Sequence, residues 1–145
     1  MPHVETRRVV PLTFGETWAF CTDVESFPEY MNDVVSVKII EAGENWQIQK
    51  WDARVRGVPF RWTEKNVHDL PARRIDYRQT EGDLKQFEGS WTFREVDGGT
   101  EVTLTCDFEF GMPMVASLLN PVAKLLLRDN LVSMLDGVSK KAQGG

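Results

Sequence analysis

Only two cysteines and two histidines occur in the 145 residues, and neither kind is spaced as a metal-binding set. Cys21 and Cys106 both fall among apolar neighbours. They read as buried free thiols in a reducing compartment. Neither has a basic neighbour in sequence to depress its pKa, so a nucleophilic cysteine paired with His68 is not expected. Basic charge is in deficit, 17 Lys+Arg against 22 Asp+Glu, so a general nucleic-acid role lacks its electrostatic footprint. No uninterrupted apolar run is long enough to cross a bilayer: the most apolar region, 112–127, is broken by Asn120-Pro121. The start, Met-Pro-His-Val-Glu, has no basic apolar leader, and a cytoplasmic protein is expected. Repeats and low-complexity linkers are also missing, so residues 1–145 read as one domain, with 142–145 a frayed tail.

What the chain does have is aromatic side chains and alternation. Five Trp, eight Phe and two Tyr are a heavy load for this length. Between Phe87 and Phe110, large apolar residues alternate with polar ones on either side of Asp97-Gly98-Gly99. This is a hairpin with one oily face. An edge strand is expected over residues 3–11. Thr13-Phe-Gly-Glu16 has capping-box spacing, so a short helix carrying Trp18, Phe20 and Cys21 should start there. Asp23 to Met31 reads as a second helix broken around Pro28. Further strands are expected over Val34–Glu41 and Trp46–Arg56, from the Val55–Phe60 turn to about His68, and over 73–80. After Met112-Pro113, Asn120 as N-cap and Pro121 at the first helical position predict a long helix over about 121–141. Its apolar stripe is Leu127, Leu131, Met134 and Val138, and its polar stripe is Asp129, Ser133, Asp136 and Lys140. The order is strand, two short helices, six strands and a long helix. The fold class is α+β.

That order resembles the helix-grip fold of the START and birch-pollen-allergen superfamily, a curved seven-stranded antiparallel sheet wrapped around a long C-terminal helix. Within it the chain is most similar to the polyketide cyclase/aromatase and coenzyme Q-binding families. The matching residues are Asp23-Val-Glu-Ser-Phe-Pro-Glu-Tyr-Met31, Phe60-Arg-Trp62, Phe87-Glu-Gly-Ser-Trp-Thr-Phe93 and Asp107-Phe-Glu-Phe110. The resemblance covers nearly the whole chain. It implies a deep cavity between sheet and helix for a flat or elongated hydrophobic molecule, without metal, nucleotide or other cofactor.

On this reading the chamber would be lined by Trp18, Phe27, Tyr30, Met31, Trp51, Phe60, Trp62, Phe87, Gly89, Trp91, Phe108, Phe110, Leu127, Leu131 and Met134. Arg54 and Tyr30 would stand at its mouth. Gly89 leaves a gap among large inward neighbours where a ligand or another backbone could approach. The plain alternative is that these aromatics only fill a core.

Polar chemistry concentrates on the strand from Phe60 to His68. If Phe60 and Trp62 point inward, period two carries Glu64, Asn66 and His68 inward too, and Tyr77 and Gln79 share that phase on the next strand. The competing reading lets the strand leave the core past Trp62, exposing Glu64 to His68. If the site is catalytic, the resemblance implies aldol-type ring closure and dehydration of a poly-β-ketone held on an acyl carrier protein. Glu64 or His68 would move protons, and Tyr77, Tyr30 and Asn66 would hold carbonyl oxygens. The chain departs from the cyclase/aromatases at two points. Asn66 stands where they carry an inward arginine, four residues beyond the Trp62 equivalent. Val34 stands where they carry a tyrosine, with Tyr30 one helical turn earlier. The alternative function is a non-catalytic carrier or chaperone of a quinone, lipid or polyketide.

Residues 50–78 carry a net charge of +4, the remainder −9. Outward Arg61, Lys65 and Arg78 could dock an acidic carrier protein or a ligand carboxylate. Cross-strand pairing with Glu88 and other outward acids is the plainer expectation. Oligomeric state is not legible.

Overall fold

The computed structural model describes residues 3–55, 57–82, 84–109, 124–125, 128–129 and 132–141. Strand β1 (His3–Val10) leads into helix α1 (Phe14–Thr22) and a 3-10 helix over Val24–Glu29. Six strands follow: β2 (Val34–Ala42), β3 (Trp46–Val55), β4 (Val58–Asp69), β5 (Arg74–Gly82), β6 (Gln86–Val96) and β7 (Gly99–Glu109). Residues 124–125, 128–129 and 132–141 are helical. Among the described residues no helix is long and apolar enough to cross a membrane.

The α1 start follows its expected chemistry. The Thr13 hydroxyl accepts from the Glu16 amide at 3.2 Å, and the Glu16 carboxylate accepts from the Thr13 amide at 3.2 Å. Pro28 sits inside the second piece, which is wound as a 3-10 helix rather than the broken α-helix expected.

All seven strands form one antiparallel sheet in the order β1-β7-β6-β5-β4-β3-β2. Six are a meander, and β1 closes against β7. The β6–β7 hairpin behaves as its alternation requires: Phe87, Trp91 and Phe93 are buried with Val102, Leu104, Cys106 and Phe108 on one face. The C-terminal helix lays Met134, Leu135 and Val138 on that core and leaves Asp136 exposed. Arg8 on β1 donates to Asp136 at 2.6 Å, tying the helix to the sheet edge. The predicted helical residues Leu127 and Leu131, and the strand-end residue Phe110, lie outside the described residues.

Close approach requires glycine at two positions that bear on the site. A β-carbon on Gly137 would stand 2.8 Å from both the Met31 Cγ and the Tyr30 carbonyl oxygen, so the helix seats against the 3-10 segment only because position 137 is bare. A β-carbon on Gly89 would overlap the Thr105 carbonyl oxygen and stand 2.7 Å from the Tyr77 hydroxyl. The gap read at Gly89 is therefore filled from within the protein. Because the nearest clash is with backbone, Gly89→Ala is expected to lower the unfolding free energy by about 1–3 kcal/mol. Urea unfolding followed by circular dichroism checks it; an unchanged midpoint would refute the filled gap.

Candidate active site

Strand β4 stays in the core past Trp62. Glu64 and Asn66 are each 4 % exposed, whereas Val67, on the opposite phase, is 40 % exposed. Alternation therefore sends a carboxyl group indoors, and its bonded partners there are neutral. The Trp62 indole Nε1 donates to one Glu64 oxygen at 2.6 Å, and the Asn66 Nδ2 donates to the other at 2.6 Å. Burial pushes the carboxyl up to about 7, and these two bonds offset only part of the rise. Glu64 is thus a proton donor or acceptor poised near neutrality in a dry setting.

Strand β3 pairs with β4 in an unbroken register that places Trp51 opposite Trp62, Gln49 opposite Glu64 and Gln47 opposite Asn66. The two indoles stack, with centroids 5.4 Å apart and planes 11° apart. Trp51 Nε1 donates to Gln49 Oε1 at 3.0 Å, and Gln49 Nε2 donates to Gln47 Oε1 at 2.8 Å. On the other side of β4, Tyr77 is the register partner of Asn66. Its hydroxyl crosses β6 over Gly89 and donates to the Thr105 carbonyl at 2.5 Å. Burial raises the Tyr77 phenol well above its ordinary value, so it is a neutral donor already committed to the main chain.

Glu64 opens on a cavity of about 20 Å³, room for one water molecule, bounded by Trp51, Trp62, Tyr77, Phe87, Trp91, Leu104 and Met134. Of these walls, Trp51, Trp62, Phe87, Trp91 and Met134 are the ones expected from sequence to line a chamber. Leu104 was missed, although its place in the β7 alternation marks it as inward.

Several expected site residues are elsewhere. His68 shares the inward phase but lies four residues beyond Glu64, about 13 Å along the strand. It is half-buried and edge-on to Trp18 at 6.0 Å, and desolvation lowers its proton affinity. It forms no pair with Glu64. Trp18 packs in that same cluster with Phe14 and Phe93, away from the cavity. Arg54 has the outward phase of β3 and is exposed. Phe60 is half-buried and pairs with Ala53, outside the lining. Phe27, Met31 and Phe108 are fully buried packing residues. Tyr30 turns its hydroxyl to the Phe20 carbonyl at 3.5 Å, with the Lys141 ammonium 5.9 Å from its ring centre. Gln79, opposite Glu64 in register, spends its amide on the Leu84 carbonyl at 2.5 Å. The fully buried Gln49 was not foreseen; its signal was the Gln47, Gln49, Trp51 alternation. Burial also pushes the Cys106 thiol up to about 12 and the Cys21 thiol higher, which removes both as nucleophiles.

A sequence profile described as polyketide cyclase/dehydrase and lipid transport matches residues 10–135. The chain is 36% identical over 87 residues to the actinorhodin polyketide synthase bifunctional cyclase/dehydratase of Streptomyces coelicolor. That match takes in 59% of this chain but 28% of the relative, so the chain spans little more than a quarter of its length. Among solved structures, a protein of Thermus thermophilus superposes with a TM-score of 0.91 at 26% identity, covering 99% of this chain and 98% of that one. The Zhui aromatase/cyclase of a Streptomyces species superposes with a TM-score of 0.88 at 23% identity, covering 98% and 93%. The second likeness establishes the fold alone.

The Glu64 environment makes a stability prediction. Its carboxyl titrates at 4.5 in the ordinary state and at about 7 in the fold. Between those values the folded state holds a proton that the unfolded state has lost, so stability falls as pH rises through this window. The loss, on the order of 3 kcal/mol, is complete above pH 7. Urea unfolding at pH 5 and pH 8 should show it in the native chain, and Glu64→Gln should remove that part of the slope. Equal slopes in both proteins would contradict the assignment.

Proposed function

This chain belongs to the polyketide cyclase/dehydrase and lipid transport family, and on that premise we propose that it binds a poly-β-ketone or aromatic molecule between sheet and helix and promotes aldol-type cyclisation and dehydration. The whole chain acts as one such domain, in the cytoplasm. The observation that carries this reading is Glu64, a buried carboxyl held by two neutral donors and facing an aromatic-walled cavity of one-water size, which ligand binding would have to widen.

Aldol closure takes a proton from an activated methylene carbon, joins that carbon to a ketone carbon, and delivers a proton to the ketone oxygen. Dehydration then removes that oxygen as water. A single carboxyl that titrates near neutrality can serve both directions, accepting from carbon as the carboxylate and giving to oxygen as the acid. Asn66 and Trp62 hold its two oxygens in place, so Asn66 acts on Glu64 rather than on a substrate carbonyl. Tyr77 fixes the wall beside it. The stacked Trp51–Trp62 pair and Phe87 offer flat apolar surface to a ring or a folded chain.

An acidic acyl carrier protein delivering the substrate fits the outer face of the sheet. There Lys38 lies opposite Lys50, and Lys65 opposite Arg78. None of these four cations has an acid within ion-pair distance among the described residues, and two like-charge cross-strand pairs are destabilising when left alone. Lys65 lies instead over the Trp46 ring, 5.2 Å from its centre. Glu88, the acid opposite Arg78, is bonded by the Gln86 amide at 2.5 Å. Arg61 does pair with Asp52, at 3.4 Å.

The test is the product spectrum of a minimal polyketide-forming system with and without the protein. The native chain should redirect products toward cyclised, dehydrated ones. Glu64→Gln should abolish this while keeping the fold and ligand binding, and the native pH–rate profile should turn near 7. A spectrum unchanged by native protein, with a hydrophobic ligand co-purifying in native mass spectrometry, would replace catalysis by carriage. Lys65→Glu with Arg78→Glu should weaken binding of the carrier protein at least tenfold at low salt and flatten its salt dependence, as measured by titration calorimetry.

A further inference from the structure

We propose that Trp51 and Gln47 are positioning residues for Glu64: by holding both ends of the Gln49 amide they withhold it from the carboxyl directly opposite and leave that carboxyl with two hydrogen-bond donors rather than three. The proposal rests on Glu64 as the proton-transfer group named above.

The direction of the β3 relay follows from what each group can do. An indole N–H only donates, so Trp51 fixes the Gln49 oxygen toward itself and turns the Gln49 NH2 the other way. That NH2 meets the Gln47 side-chain oxygen. Gln49 is 0 % exposed, so no solvent competes for it, and these two bonds engage one donor and one acceptor along its own strand. Yet Gln49 and Glu64 are register partners on the same inward face, and such partners carry their β-carbons about 5 Å apart. A glutamine amide released there can swing across to the carboxylate. On β4 the same two-residue spacing brings Trp62 and Asn66 onto Glu64, and both bond the carboxyl.

A third donor would favour the ionised form and draw its remaining lone pairs away from the cavity. Among the described residues, the other groups facing Glu64 do not supply a charge. On β5 these are Tyr77 and Gln79, on β6 Phe87 and Trp91, on β7 Leu104 and Cys106, and on the helix Met134. Tyr77 and Cys106 are the titratable ones, and burial keeps both neutral. The Trp51–Trp62 stack couples the two relays, because the ring that orients Gln49 lies flat on the ring that bonds Glu64. The two strands thus make different use of one pattern. On β4 the relay closes on an acid; on β3 it closes on itself.

The midpoint of Glu64 can be read without any activity, from the side-chain carboxyl 13C shift of protein labelled with 13C-glutamate, assigned with Glu64→Gln. Gln47→Leu removes the acceptor that holds the Gln49 NH2 and should make the Glu64 proton affinity fall about tenfold. Adding Gln49→Leu to it should restore the native midpoint, because the released amide is then gone. Trp51→Phe, which frees the other end of Gln49 and keeps an aromatic ring in the stack, should act in the same direction if Gln47→Leu does not fold. An unchanged midpoint in the folded single variants would overturn the proposal. So would a rise in midpoint on Gln49→Leu alone, since that would mean the Gln49 amide already bonds Glu64 in the native chain. A native midpoint near that of an ordinary glutamate would defeat the functional reading itself, whatever the variants do.

Discussion

A carboxyl group buried among neutral donors is the constraint on which the interior turns. Taking Glu64 out of water is costly, and two hydrogen bonds from Trp62 and Asn66 recover only part of it. What makes the arrangement possible is register. The β3–β4 ladder runs through ten pairs without a shift, whereas the ladders on either side of it, β2–β3 and β4–β5, each contain irregularities. A slip of one residue between β3 and β4 would turn Glu64 to the outer face and bring Lys65 in. The stacked tryptophans sit in the middle of that unbroken ladder and oppose such a slip, because sliding would separate two large rings that now cover each other.

The neighbouring strands keep water and competing donors away from the same group. Tyr77 could have faced the carboxyl, yet its phenol spans the bare backbone at Gly89 and ends on the Thr105 carbonyl. This one bond fills the hole beside Gly89, satisfies a buried hydroxyl and takes a donor out of the site. On the opposite side the C-terminal helix is drawn down by the fit of Gly137 on Met31 and brings Met134 over the cavity. In a medium of low polarity each remaining hydrogen bond counts for more, so the few that reach Glu64 determine its chemistry.

Much of this was legible in the sequence. The strand order, the capping box at Thr13 and the inward phase of Trp62, Glu64 and Asn66 all follow from local pattern, because alternation fixes which face a side chain takes. Alternation does not say which partner a side chain finds on that face. Nothing local singles out Gln49, and Tyr77 reads as a donor for a carbonyl oxygen. His68 has the right phase but lies where α1 covers the end of the sheet, and Trp18 belongs to that cover rather than to the chamber. Gly89 was correctly read as a place of close approach, but what approaches is the main chain of β7. Register and long-range contacts decide such matters, and no window of sequence contains them.

One of the two positions at which this chain departs from the cyclase/aromatases it resembles, Asn66, then acquires a physical meaning. An arginine at position 66 would set a permanent cation beside Glu64, and a guanidinium can engage both carboxylate oxygens at once. Such a pair would hold the carboxyl ionised and spend the positive charge on it, leaving an electrostatically stabilised but proton-inert site. Asparagine keeps one of those hydrogen bonds and removes the charge. The proton that arginine would have displaced stays on the carboxyl up to near neutrality. Replacing the cation by an amide therefore does not empty the site of chemistry. It exchanges a guanidinium–carboxylate pair of fixed charge for a carboxyl that keeps its proton to near neutrality, which is the property the proposed proton transfer would use.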